Sequence, residues 1–223
     1  MPPYGDLSGK FQYLYQVKCK TMDIRNIIFD FGGVLLDWNP RYLYREIFDD
    51  DERMEYFLAH ICTTEWNAEQ DAGRTWAEAV AVLQAQHPEY ADLIRLYADG
   101  WPKMLNGEFP ESVALLHRLK AAGYAVYGLT NWSAETFPVA LERFGFLQEL
   151  DGIVVSGEEK VMKPDERIYR ILLDRYGLKA DESVFIDDNA PNVAAAERLG
   201  IHGILFDNAD NVAAHLRKSG VRV

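Results

Sequence analysis

Cysteine is nearly absent from this chain of 223 residues: only Cys19 and Cys62 occur, and neither belongs to a CxxC or Cys/His cluster. A disulfide framework and a structural zinc site are therefore not indicated. Positive charge is also scarce, with 23 Lys and Arg against 35 Asp and Glu and a formal net charge of -12. Such a chain lacks the basic footprint that a nucleic-acid partner requires. The imbalance does not exclude a phosphorylated substrate, because local positive groups and a bound cation can govern one pocket of an acidic protein. No apolar run approaches the roughly 18 residues that span a bilayer, so no membrane partner is expected. The first 21 residues lack the apolar h-region of a signal peptide, and a reducing cytoplasm is the simplest location. Internal repeats and low-complexity segments are missing too. What is present is 48% hydrophobic and 26% charged residues, the balance of a well-buried globular fold. The length suits a core domain of about 150 residues with a smaller insertion.

Met1–Thr21 shows no clear period, although Phe11, Tyr13 and Tyr15 alternate. It reads as an N-terminal extension (1–21), or else as a short edge strand or helix packed on the core. From Ile24 onward short apolar runs alternate with helical patterns, which predicts a parallel sheet. Expected strands after the first are Ala125–Leu129, Ile153–Val155, Val184–Ile186 and Gly203–Phe206. Between them the end signals predict helices over Glu111–Ala122, Ser133–Phe144, Asp165–Tyr176 and Pro191–Leu199, closed by Gly123, Gly145, Gly177 and Gly200. From Trp38 to Gly107 no strand is convincing, and helices are expected over Pro40–Phe48, Asp51–His60, Thr75–Gln86 and Ala91–Trp101. So long a helical stretch after the first strand reads as a cap over the carboxyl ends of the strands. The expectation is an α/β protein with a Rossmann-like parallel-sheet core (22–38 and 108–223), helices on both faces, and an inserted α-helical cap (39–107).

The stretch Asn26-Ile27-Ile28-Phe29-Asp30-Phe31-Gly32-Gly33 begins as a buried strand and ends in a carboxylate. A buried, unpaired carboxylate costs several kcal/mol or more, so a partner cation or a ring of donors is expected around Asp30. The glycines permit a sharp turn and close approach of a ligand. Asp30 is accordingly a candidate nucleophile. The other strand ends or following loops offer Thr130-Asn131, Lys163-Pro164 and Asp187-Asp188-Asn189. One strand-end Asp is most often a turn or helix cap. Four chemically matched positions in order are hard to assign to chance.

That order resembles the haloacid dehalogenase-like superfamily over Ile27 to Phe206, in a subfamily with a type 1 helical cap and a DFGG- or DLGN-type first motif. The resemblance implies a Mg²⁺-dependent phosphatase acting on a small phosphorylated metabolite, such as a sugar phosphate, through an aspartyl-phosphate. It implies metal ligation by Asp30, the carbonyl of Gly32 and Asp188, with Asp187 as an outer-sphere partner. Thr130, Asn131 and Lys163 would hold the phosphoryl oxygens, and Lys163 would restrain the acidic cluster. Mg²⁺ is a hard cation suited to such oxygen donors and neutralises charge on the transferring group.

One departure stands out: the second Asp of the first motif is replaced by Gly32. In the family's phosphatases that Asp protonates the leaving alcohol, help typically worth ~10²–10⁴-fold. Asp37 is a candidate substitute, or else a hairpin residue. The alternatives are a 2-haloacid dehalogenase, whose halide needs no proton, and a catalytically weak binding or regulatory protein. For substrate selection the sequence offers a polar, aromatic cluster in the cap, Trp66, Asn67, Glu69, Asp71, Gly73 and Arg74, with Gly73 as a hinge, and Arg41 as a possible anion contact.

Overall fold

Asn26–Phe29 forms strand β1 at the centre of a five-stranded sheet. Ile27, Ile28 and Phe29 are fully buried, as befits a strand covered on both faces. Alternation decides which face each serves. Ile27 and Phe29 join a cluster with Leu116 and Val212, while Ile28 joins one with Ile168, Leu172 and Ala196. The computed structural model describes residues 23–223, so the expected N-terminal extension lies outside the described residues.

The remaining strands are β2 (Leu36–Trp38), β3 (Leu105–Glu108), β4 (Ala125–Thr130), β5 (Gly152–Val155), β6 (Ser183–Asp187) and β7 (His202–Leu205). The main sheet runs β5-β4-β1-β6-β7 with every neighbouring pair parallel. The chain builds outward on the β4 side and then returns to the β6 side, which makes the carboxyl end of β1 the topological switch point where such sheets bind ligands. Phe29 lies opposite both Gly128 and Ile186, so Asp30, Thr130 and Asp187 emerge on one edge. Strands β2 and β3 form a separate antiparallel pair.

Between β2 and β3 lie α1 (Arg41–Tyr44), α2 (Asp51–His60), α3 (Thr64–Asp71), α4 (Trp76–Gln86) and α5 (Ala91–Asp99). Tyr97 anchors this layer, packing on Tyr44, Trp66 and Trp76 at ring separations of 6.1, 5.2 and 5.7 Å. The core helices are α6 (Pro110–Ala121), α7 (Phe137–Arg143), α8 (Ser156–Glu159), α9 (Glu166–Tyr176), α10 (Ala190–Arg198) and α11 (Ala209–Lys218).

Three differences from the sequence expectations have physical reasons. Helix α3 is unexpected because TEWNAEQD buries only Trp66 and Gln70, and its start is fixed by the Thr63 hydroxyl accepting the Trp66 N–H at 3.1 Å. Helix α7 begins at Phe137 rather than after Ser133, since Pro138 is tolerated only in a first turn. The helical region ends before 107, because Leu105 pairs with Trp38 and opens β3.

Candidate active site

Asp30 sits just past β1, its N–H donating to the Ile186 carbonyl at 2.9 Å. The residue is 8% exposed, and its Oδ1 accepts from the Phe31 N–H at 2.7 Å and from Lys163 Nζ at 2.8 Å. Oδ2 has no protein partner among the described residues. Burial pushes this carboxyl upward from the usual range, the Asp187 charge adds to that, and Lys163 opposes it.

Lys163 is the expected cation and is 1% exposed. Its ammonium spends its three protons on Asp30, on Asp187 Oδ2 at 2.7 Å and on the Leu129 carbonyl at 2.9 Å. Burial alone would lower its pKa, but the two carboxylates outweigh it and hold the ammonium charged. Asn131 fixes the loop that carries it, accepting the Lys163 N–H at 2.8 Å and donating to the Lys163 carbonyl at 3.0 Å. The oxygen and one N–H of the Asn131 amide are thus spent on main chain, while Asn131 also lines the cavity that Asp30 lines.

Asp187 and Asp188 differ sharply. Both oxygens of Asp187 are satisfied, by Lys163, by the Asn189 N–H at 2.8 Å and by Asn192 Nδ2 at 3.1 Å to each. Asp188 is exposed, and its carboxylate accepts from no other residue among the described ones. Burial of its oxygens and the neighbouring Asp187 charge push it upward. One oxygen from each of Asp30, Asp187 and Asp188 lies within 4.8 Å of the others, a donor set suited to a hard divalent cation. Gly33 makes room for this cluster: it has φ +75°, and a Cβ there would stand 2.3 Å from Asp188 Oδ2. A Cβ on Gly32 would meet nothing within 4 Å.

These groups open into a cavity of about 560 Å³ whose walls include Asp30, Gly32, Asn131, Lys163 and Asp188 from the core and Thr64, Asn67, Ala68 and Asp71 from α3. Trp38, Trp101, Trp132 and Met162 supply its apolar surface. Thr130 is 1% exposed, off this wall, and its hydroxyl has no partner among the described residues. The contribution of Trp101, Trp132 and Asn192 was not anticipated. Asn192, five residues beyond Asp187 in the following helix, is the one whose spacing could have been read.

The other cap expectations need correction. Trp66 is buried against Trp76 and Tyr97 and does not reach the cavity. Arg41 is paired with Glu55 and lines a separate cavity of about 240 Å³. Glu69 and Arg74 pair with each other. Gly73 (φ +101°) is a close approach between layers, since a Cβ there would lie 3.2 Å from the Gly157 carbonyl. Asp37 accepts from the Tyr42 hydroxyl at 2.7 Å and Asn106 at 3.0 Å, outside the cavity wall. It is a residue of strand β2, paired with Gly107 of β3.

The family model of haloacid dehalogenase-like hydrolases matches residues 24–200. The (S)-2-haloacid dehalogenase 4A of Burkholderia cepacia is 31% identical over 103 residues, 46% of this chain and 45% of that protein. The sesquiterpene phosphatase of Aspergillus oryzae is 28% identical over 191 residues, 86% of this chain and 94% of that one. In fold, the chain is similar to a HAD family enzyme of Bacteroides thetaiotaomicron solved with magnesium and inorganic phosphate, with TM-score 0.62 and 23% identity over 82% of this chain and 94% of that one. Among the described residues no helix is long and apolar enough to cross a membrane.

Proposed function

We propose that this chain, which belongs to the haloacid dehalogenase-like hydrolase family, is a Mg²⁺-dependent phosphatase of a small phosphorylated metabolite. The observation that carries the reading is Asp30, buried at the end of β1, paired with a charged buried Lys163 and open to the cavity through an oxygen with no protein partner. Relatives support it: the chain matches one phosphatase over 94% of that protein's length, and a structural neighbour was solved with magnesium and phosphate.

In this reading Asp30 attacks phosphorus and the aspartyl-phosphate is then hydrolysed. Lys163 favours the ionised form of Asp30 against the effect of burial and places a positive charge beside the phosphoryl group. Thr130, whose buried hydroxyl has no partner among the described residues, would serve as a phosphate donor on turning into the cavity, and Asn131 acts by positioning Lys163. Asp30, the Gly32 carbonyl and Asp188 would hold Mg²⁺, with Asp187 behind them as the anchor of Lys163 and Asn192. The ion, when bound, neutralises charge on the transferring group. The Trp38, Trp101 and Trp132 walls, with Asn67 and Thr64, suit a compact leaving group such as a sugar, bearing apolar faces and hydroxyls. Its location is proposed as cytoplasmic.

The test is phosphate release from a panel of sugar, nucleotide and carboxylic-acid phosphates with and without Mg²⁺. Metal-dependent release that Asp30→Asn abolishes is expected. Chloride release from 2-chloropropionate without phosphatase turnover would favour the dehalogenase reading instead, and stable ligand binding without any turnover would favour a binding protein.

A further inference from the structure

Gly32 leaves the proton-transfer step without an owner at the usual place, yet the cavity wall holds four titratable side chains: Asp30, Asp71, Lys163 and Asp188. The phosphatase reading commits three of them to attack, charge pairing and metal. Asp71 is the one left over, and it faces the cavity from the cap, the side on which a leaving group lies. We propose that Asp71 is the general acid and base of this enzyme, giving a proton to the leaving oxygen and later taking one from the attacking water. The inference rests on the phosphatase reading and adds a residue to it.

Asp71 is held for such work. It ends α3, and its carboxylate accepts from Asn67 Nδ2 at 3.2 Å, one turn earlier, and lies toward the Ser133 N–H, which favours its charged form. Its carbonyl accepts from the Ser156 hydroxyl at 2.5 Å. The Ser156 bond thus ties this cap residue to the segment after β5, and its carboxylate faces the segment after β4 that follows Asn131 and Trp132. Among the described residues no cation is paired with it. On the elements around it, Lys160 packs against Gly73, Glu135 binds the Trp76 N–H, and the Tyr97 hydroxyl is raised partly by the Asp71 charge. Burial pushes the Asp71 carboxyl up to about 7, so both protonation states are populated near neutrality, as an acid that must also serve as a base requires.

The step balances. Asp30 forms a bond to phosphorus while the bond from phosphorus to the ester oxygen breaks. That oxygen keeps the electron pair and receives the Asp71 proton, leaving as an alcohol. Water then attacks the aspartyl-phosphate, its proton passing to Asp71, and Asp30 leaves as a carboxylate with free phosphate as product.

The experiment compares wild type, Asp71→Asn and the double variant Gly32→Asp/Asp71→Asn on an alkyl phosphate and on p-nitrophenyl phosphate, with Mg²⁺ and across pH. The expected loss in kcat for Asp71→Asn is about 10²-fold or more on the alkyl ester, whose leaving group needs a proton, and much smaller on the aryl ester. The fall of wild-type kcat above neutral pH should vanish in the variant. The double variant should recover alkyl turnover, because a side chain at position 32 has open space. Equal losses on both esters, no loss, or no recovery in a folded double variant would overturn the assignment. A wild type without Mg²⁺-dependent turnover of either ester would instead overturn the phosphatase reading on which it stands.

Discussion

Replacing Lys163 by Met removes a cation while keeping much of the side-chain volume, so the change isolates charge from packing. Lys163 is 1% exposed and, among the described residues, is the only ammonium bonded to Asp30, at 2.8 Å, and to Asp187, at 2.7 Å. Asp187 would keep Asn192 and the Asn189 N–H, whereas Asp30 would keep only the Phe31 N–H. The substitution therefore strands one buried carboxylate, a loss of about 3–5 kcal/mol. Adding Asp30→Asn removes the stranded charge. The double variant should then be more stable than Lys163→Met alone, with a coupling between the sites of about 2 kcal/mol. Urea unfolding at pH 8 with a chelator present, so that no divalent ion substitutes for the lysine, measures all four corners of the cycle. Additive losses, or a single-variant loss below about 1 kcal/mol, would refute the claim that Lys163 compensates this cluster.

Further consequences follow from neighbouring positions. Gly33→Ala should cost about 1–2 kcal/mol from its left-handed backbone and, by displacing Asp188, should abolish Mg²⁺-dependent activity, checked by thermal melts and phosphate release. Gly32→Asp should preserve or raise the rate in the same assay, since nothing lies within 4 Å of its added Cβ. The Asp71 carboxyl is raised to about 7 by burial, above its unfolded value, so its contribution to stability is full below about pH 4 and is lost as pH rises toward 7. Asp71→Asn escapes that loss and should melt higher than wild type at pH 8 and near it at pH 4, read by circular dichroism.

The parallel sheet was legible because each strand is short, apolar and bounded by glycine or a polar end, and β1 lies central with Asp30 at its tip. The cap was legible as helical but not in detail. Helix α3 carries too few apolar residues to show a period, and its cap residue Thr63 was the one local signal. Side-chain destinations were less readable still. Trp66 obeys the rule that an aromatic at helical spacing is core, and Arg41 is spent on Glu55, fourteen residues away. Asn131 follows the strand-end threonine, yet its amide closes on the main chain of Lys163, a tertiary pairing that no spacing announces. Asp71 stood in the cap cluster among five neighbours, and only the fold shows that it and Asn67, unlike the other four, reach the cavity that Asp30 lines.

The central claim is that Asp30 takes the phosphoryl group. A single turnover with a radiolabelled phosphate monoester and Mg²⁺, quenched in acid and digested, tests it directly. The account predicts hydroxylamine-labile label on the peptide containing Asp30, and none in Asp30→Asn. Full turnover of the ester by wild type with no label on that peptide at any quench time would contradict it.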